Sequence, residues 1–222
     1  MTQAQRMGSL TTIARQLKQA GVIPADNAAL GIPQRKSADS GSGNNRMKAL
    51  DGSRLDRVTD AHVHMSLRLQ EAFGLRREEA IKFQPAYADR GDHIALKGSW
   101  CKGGRERMIP IATTEQRAVL DQAHALAGSG SLIPAQRSYI QQRHVYDGQC
   151  KAAGLSNMHG LRHAYAQTRY EVLTGWKAPA AGGPDRKALT SEQRAIDAEA
   201  RQQISRSLGH ERIAIVAAYI GR

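Results

Sequence analysis

Five side chains in the C-terminal third of the chain could together bind and attack a phosphate group. His159, Arg162 and His163 are spaced i, i+3 and i+4, so a helix would place all three on one face. His210 comes later in the chain, and Tyr219 stands nine residues beyond it. Imidazole and guanidinium groups can hold a phosphate, and a tyrosine phenolate is a nucleophile. The set therefore predicts phosphoryl transfer through a tyrosine.

A helix end and a turn must position the last two of these residues. Apolar residues recur at four-residue spacing up to Leu208, and Gly209 then ends the predicted helix. The turn would expose His210, and Tyr219 lies in a new apolar segment over 213–220. The pattern predicts that the phenol lies near the histidine.

Composition indicates a polyanionic partner. The chain has 222 residues and a formal net charge of +12, and neutralising phosphates with Lys and Arg releases counterions. We expect one main domain that binds double-stranded DNA. No apolar run approaches the roughly 20 residues of a membrane span, and the N-terminus has no apolar signal region. We therefore expect a cytoplasmic protein without a membrane partner.

A further arginine is predicted at a helix start. Gly74 ends one periodic segment, and a helix over 75–83 begins with Arg76. The free amides and the dipole of a first helical turn favour a phosphate. The alternatives are a surface Arg76 paired with Glu79, or Arg77 on a different face as the functional residue.

A β-hairpin is predicted around a group of basic residues. Residues 93–100 and 106–111 have the pattern of two strands, with Lys102 at the glycine-rich tip. A lysine at such a tip is ordinarily only solvated, but its flexible stem could reach a DNA groove and protonate a leaving oxygen. Lys97 is the second candidate for this role.

The order of these motifs resembles the tyrosine recombinases, the phage integrase family. Members carry an arginine in G-L-R-x-x-E, a lysine in K-G-x-x-x-R-x-x-P, an H-x-L-R-H box, and L-G-H followed at nine residues by the tyrosine. The resemblance implies an α+β fold, mainly helical with a small antiparallel sheet. The matching segments of this chain are 74–79, 102–110, 159–163, 208–210 and Tyr219.

The resemblance implies site-specific DNA recombination, the integration or excision of a mobile element. Strands would be cleaved and rejoined through a 3′-phosphotyrosyl intermediate, with no metal and no cofactor, in a tetrameric synapse of several copies on DNA. The catalytic residues that it implies are Arg76, Lys102, His159, Arg162, His210 and Tyr219. Residues given a subsidiary role in DNA binding are Arg77, Lys97, Arg105, Arg107 and His163.

The predicted organisation is an N-terminal appendage and flexible linker over 1–57 and a catalytic domain over 58–222. The appendage contains a short helix over 8–20, and its remainder is rich in Pro, Gly, Ser and Asn. His159 and His210 are 51 positions apart, more than in typical members, which indicates a loop inserted near 175–189. Further helices are predicted over 113–127, 135–153 and 190–208.

Two alternatives follow from the departures of this chain. The first 57 residues are too short and polar to supply the usual core-binding domain, and the chain stops soon after Tyr219. One alternative is therefore a truncated, non-catalytic DNA-binding module. The other is a metal-dependent nuclease using His62, His64, His159 and His163, which lacks a carboxylate cluster to complete the ligand set.

Overall fold

The computed structural model describes residues 12–13, 15–23, 45–210 and 212–222. The chain divides into two compact units, Met1–Asp39 and Ser40–Arg222. In the first unit, residues 12–13 and 15–19 are helical and exposed. They belong to the helix predicted over 8–20, and the rest of that prediction lies outside the described residues. Most of the predicted linker, over 24–44, also lies outside them.

The second unit is mainly helical with one two-stranded antiparallel sheet. The predicted fold class is confirmed. No helix in the described ranges is both long and apolar enough to cross a membrane. In chain order the elements are α1 (Gly52–Leu55), α2 (Ala61–Phe73), α3 (Arg77–Ile81), α4 (Pro85–Ala88), β1 (His93–Leu96), β2 (Arg107–Pro110), α5 (Thr114–Ala127), α6 (Tyr139–Ala152), α7 (His159–Thr174), α8 (Ser191–Leu208) and α9 (Ala217–Ile220), with 3-10 turns at Gly98–Trp100, Pro179–Ala181 and Ile213–Val216.

Helices α2 and α7 link the two apolar clusters of this unit. Phe73 of α2 and Tyr165 of α7 belong to the larger cluster. Leu67 and Leu161, from the same two helices, belong to the second cluster, and both side chains are fully buried. Because α7 is anchored in both clusters, the H-x-L-R-H box at its start has a rigid support.

The hairpin is shorter than predicted. Strand β1 pairs with β2 from His93 opposite Pro110 to Leu96 opposite Arg107, whereas strands over 93–100 and 106–111 were expected. The chain leaves the sheet after Leu96 because Trp100 is buried, with its ring centroid 5.7 Å from that of Tyr87. Burial of this large side chain replaces further strand pairing.

Residues 45–57 lie against the helical unit, although their composition predicted a flexible linker. The amide of Lys48 donates to the carbonyl of Gly160 at 3.1 Å, and the amide of Leu50 donates to Glu71 Oε1 at 2.9 Å. A Cβ on Gly160 would lie 2.8 Å from the carbonyl oxygen of Arg46. Glycine in the first turn of α7 therefore admits this segment, a contact that composition cannot reveal.

Replacing Gly74 by alanine should lower the free energy of unfolding by about 3 kcal/mol, from left-handed strain and overpacking together. Gly74 has φ +61°, and a Cβ there would lie 2.5 Å from Tyr165 Cδ1. Gly91, with φ +88° and nothing within 4 Å, is the matched control. Gly91→Ala should cost only about 1 kcal/mol. Urea unfolding followed by circular dichroism measures both, and equal losses would contradict the steric argument.

Candidate active site

Tyr219 lies among three imidazole rings and one guanidinium group. Its ring centroid is 4.7 Å from that of His163, 5.4 Å from that of His210 and 5.9 Å from that of His159. The Cζ atom of Arg162 lies 5.8 Å from the same centroid. The structure thus brings together five residues from motifs that are remote in the sequence.

The segment that carries Tyr219 is anchored by a turn before it, by two buried side chains and by a backbone hydrogen bond. Helix α8 ends at Gly209 in the left-handed conformation, with φ 66°, which turns the chain back toward α7. Val216 and Ile220 are fully buried in the larger apolar cluster. The side-chain amide of Gln167 donates to the carbonyl of Tyr219 at 2.8 Å. These contacts fix the backbone beneath the phenol.

Arg162 is buried at the centre of the site. Its Nη1 donates to the carbonyl of Gly74 at 2.5 Å, and its Nη2 donates to the carbonyl of Leu208. Burial and the nearby Arg76 lower the pKa of Arg162 to about 10, so the group stays charged at neutral pH. Its Nε has no partner among the described residues. Because this donor is buried, only a group that enters the site could satisfy it.

The sequence predicts Arg76 in the first turn of a helix. In the structure it is instead the N-cap of α3, one residue before the first turn. Its Nη1 donates to Glu79 Oε1 at 2.8 Å, and its backbone amide donates to Glu79 Oε2 at 2.7 Å. Its Nη2 lies 3.4 Å from the carbonyl oxygen of Leu208. The pairing with Glu79 therefore occurs, but within the site and not on the surface. Arg76 and Arg162 converge on one carbonyl group.

Glu79 is a residue of the site that the sequence analysis considered only as a surface partner. Its carboxylate is fully buried and accepts from Arg107 at 2.6 and 2.8 Å. Burial alone would raise the pKa of Glu79, but the hydrogen bonds from Arg107 outweigh it and lower the pKa to about 2. Arg107 also donates to the carbonyl of Ser207 at 2.9 Å. Its guanidinium is therefore turned into the protein, whereas a subsidiary contact with DNA was predicted for it.

The two candidate lysines of the hairpin have different surroundings. Lys97 Nζ donates to Gln84 Oε1 at 2.8 Å and lies 4.1 Å from the ring centroid of Tyr87. Lys102 is exposed at the tip, next to two glycines with positive φ. Lys97 is thus engaged with its own domain, and Lys102 has the freedom to reach a ligand.

Two clefts that carry basic side chains border the site. One, of about 640 Å³, includes Arg76 and His159 in its lining. The other, of about 490 Å³, includes His210. Other basic residues that line the clefts are Arg77 and Lys151 in the first and Arg105, Arg107, Arg169 and Arg206 in the second. Arg77 is also paired with Asp147 at 2.7 Å. The arrangement suits a polyanion that crosses the site from cleft to cleft.

The surroundings of the three histidines around Tyr219 lower their pKa values and so favour the neutral rings. Burial and the neighbouring His159 lower the pKa of His163 to about 4. Burial and Arg162 lower the pKa of His210 to about 4, and the same two causes lower the pKa of His159. Each ring therefore offers one nitrogen donor and one acceptor. A neutral imidazole can accept a proton from a phenol.

The residues named for a metal-dependent nuclease do not form a ligand set. Within the ranges that the structure describes, no three His, Cys, Asp or Glu side chains come together so as to hold a metal ion. His159 and His163 instead face Tyr219, and His62 and His64 belong to α2.

Comparison with known proteins is consistent with this architecture. The family model of the Integrase family matches residues 37–168, more than half of the chain. This range includes the H-x-L-R-H box and ends before His210 and Tyr219. A search of curated proteins finds no match.

Solved structures show the same fold at low identity. A lambda integrase(75-356) dimer bound to a COC′ core site is 17% identical over 97% of this chain and 71% of that chain, with a TM-score of 0.56. Another lambda integrase dimer bound to a COC′ core site is 16% identical over 96% of this chain and 57% of that chain, with a TM-score of 0.53. The chain therefore spans between about half and three quarters of the length of these proteins.

The buried carboxylate of Glu79 should make the protein sensitive to acid. Its pKa is about 2 in the fold, against an ordinary value of 4.5. Its contribution is complete above pH 4.5, amounts to about 3 kcal/mol, and is lost as the pH falls toward 2. Urea unfolding at a series of pH values measures it. Glu79→Gln should be less stable than wild type at neutral pH and lose less stability on acidification.

The matched control is Glu192→Gln, which removes an exposed carboxylate from the first turn of α8. This variant should keep the pH dependence of the wild type. If Glu79→Gln and wild type lost stability in parallel over the same pH range, the buried pair would not be the cause of acid sensitivity.

Proposed function

We propose that this chain, which belongs to the integrase family of tyrosine recombinases, cleaves and rejoins DNA through a covalent bond to Tyr219. Site-specific recombination is the activity of the family. For this chain we propose integration or excision of a mobile element through a 3′-phosphotyrosyl intermediate, acting on double-stranded DNA in the cytoplasm. The observation that carries the proposal is the position of the Tyr219 ring, within 4.7 to 5.9 Å of three imidazoles and one guanidinium.

The first requirement of this chemistry is a tyrosine that can act as a nucleophile. An ordinary phenol has a pKa of about 10, so only about one molecule in a thousand is ionised at neutral pH, a deficit of about 4 kcal/mol. In our proposal His159 accepts the phenolic proton as the oxygen attacks phosphorus. Burial and Arg162 lower the pKa of His159, which favours the neutral ring that can accept a proton. His163, which is more deeply buried and packs closest to the phenol, supports the position of the ring.

The second requirement is stabilisation of charge on the phosphate. Arg76 and Arg162 would hold the non-bridging oxygens, because guanidinium groups match the charge that develops in the transition state. The 3.4 Å contact of Arg76 with Leu208 is long and can be exchanged for a phosphate oxygen at little cost. His210 would donate a further hydrogen bond, since its Nε2 is buried without a partner among the described residues.

The third requirement is a proton for the leaving group. As the bond from Tyr219 to phosphorus forms, the bond from phosphorus to the 5′ oxygen breaks, and Lys102 would donate a proton to that oxygen. The covalent link conserves the energy of the phosphodiester, so a new 5′ hydroxyl can reverse the steps without ATP. Exchange of strands between duplexes further requires several copies, for which we propose a tetramer on DNA.

The competing function is DNA binding without catalysis, and the basic linings of the two clefts favour it independently of Tyr219. The two functions predict the same salt-sensitive affinity for DNA. They differ in whether a covalent complex forms.

Tyr219→Phe should abolish the covalent complex and leave DNA affinity unchanged, because only the nucleophilic oxygen is removed. The substrate is a duplex drawn from the ends of the element, nicked near the scissile phosphate so that the 5′ fragment escapes. Reactions run in EDTA are resolved on a denaturing gel. Tyr139→Phe, in the half-buried first residue of α6, is the matched control and should form the complex as wild type does.

Two results would contradict the proposal. A covalent complex that persists in Tyr219→Phe would assign another nucleophile. Salt-sensitive binding of DNA by wild type without any covalent complex would favour the non-catalytic function.

Lys102→Ala should slow cleavage by about a hundredfold or more if the lysine is the general acid. A substrate with sulfur in place of the bridging 5′ oxygen should restore the rate, because a thiolate leaves without a proton. Lys97→Ala is the control and should remain within a fewfold of wild type on both substrates. Rescue of Lys97→Ala rather than Lys102→Ala would exchange the roles of the two lysines.

A further inference from the structure

The loop inserted between α7 and α8 packs directly on the residue that follows α9. A Cβ on Gly221 would lie 2.7 Å from the amide nitrogen of Ala180 and 3.0 Å from Pro179 Cβ. Gly221 has φ 86° and ψ 176°, a conformation open in practice only to glycine. The inserted loop therefore contacts backbone only two residues beyond Tyr219.

A buried polar network joins the same backbone to α7 and α8. Arg201 Nη1 donates to the carbonyl of Gly221 at 2.9 Å, and Arg201 Nε donates to Asp197 at 2.8 and 2.9 Å. Asp197 is only 2% exposed and accepts from the hydroxyl of Tyr170 at 2.6 Å. Trp176 of the inserted loop donates to that hydroxyl oxygen at 3.3 Å. We call these four side chains the Asp197 network: Tyr170, Trp176, Asp197 and Arg201.

The Asp197 network has the properties of a fixed support rather than of a surface pair. Burial raises the pKa of Tyr170, and the hydrogen bond to Asp197 raises it further, to about 12. The hydroxyl therefore remains a donor at neutral pH. Charge-assisted hydrogen bonds shielded from water are stronger than exposed ones. Arg201 is thereby held in the one orientation that reaches Gly221.

The segment after the turn at Gly209 is thus held at two carbonyl groups, that of Tyr219 and that of Gly221. Gln167 of α7 holds the carbonyl of Tyr219 itself, and Arg201 of α8 holds the carbonyl two residues later. A change in either anchor would shift the phenol relative to His159 and Arg162. Misplacement of a reacting group by about 1 Å can cost a hundredfold in rate.

The geometry points to Arg201 as a positioning residue that keeps Tyr219 in the active site of its own subunit, with Asp197 and the inserted loop as its support. The catalytic consequence rests on the proposed function of Tyr219. The packing of residues 213–222 does not depend on that function, and it can be measured on the free protein.

The first experiment is hydrogen exchange on the free full chain. Backbone amides in this segment are protected by hydrogen bonds such as that from Gly221 to the carbonyl of Ala217 at 3.0 Å. In Arg201→Gln and in Gly221→Ala, amides over 213–222 should exchange about tenfold faster, because local opening becomes easier. Amides of α2 should be unchanged. Arg201→Lys keeps a donor and the charge, and it should restore part of the protection.

The matched control is Arg186→Gln, which removes the same charge from an exposed part of the inserted loop. The second experiment measures the rate of covalent complex formation on the nicked duplex, together with DNA affinity. Arg201→Gln should lose about tenfold to a hundredfold in rate, and Arg201→Lys should recover part of it. DNA affinity of both variants should equal that of Arg186→Gln, a result that separates positioning from loss of the fold.

Two outcomes would overturn the inference. In one, the amides over 213–222 exchange at the same rate in Arg201→Gln and Gly221→Ala as in the control, Arg186→Gln. The other is faster exchange with a rate of covalent complex formation equal to that of the control. If wild type forms no covalent complex, the proposed function fails, and the exchange experiment still decides whether Arg201 holds the segment.

Discussion

The rest of the site depends on the ion pairs that the buried carboxylate of Glu79 forms with two arginines. This carboxylate accepts hydrogen bonds from Arg76 and Arg107, and so it ties the start of α3 to strand β2. A buried carboxylate is tolerated only when paired, and loss of one partner leaves an uncompensated charge that costs several kcal/mol. Glu79 therefore holds the guanidinium of Arg76 in place and commits that of Arg107 to contacts within the protein.

The C-terminal end of α8 allows three arginines to lie close together. Arg76 and Arg162 donate to the carbonyl of Leu208, and Arg107 donates to that of Ser207. The last carbonyls of a helix have no partner within the helix and carry the negative end of its dipole. They offset the mutual repulsion of the guanidinium groups. Burial and these guanidinium charges lower the pKa values of His210 and His159. In the proposed function, binding of an anion and acceptance of a proton would thus have one electrostatic origin.

The loop between α7 and α8, which the sequence predicts to be an insertion, has a definite place in this architecture. Trp176 of this loop joins the Asp197 network, and the 3-10 turn of the loop contacts Gly221. The Pro and Gly content of this loop is typical of an exposed loop without packing contacts. The loop instead packs against Gly221, two residues after the tyrosine.

Local sequence determined those features that depend on spacing within one element. The i, i+3, i+4 pattern defined the face of α7, Gly209 defined the end of α8, and the capping pair Thr190 and Gln193 defined its start. Tertiary structure alone decided that Glu79 pairs with Arg107, 28 positions away, that residues 45–57 dock on α7, and that Arg201 holds Gly221. Such pairings join segments remote in the sequence. Helical and strand periodicities describe only which face of an element is apolar, and not which partner covers it.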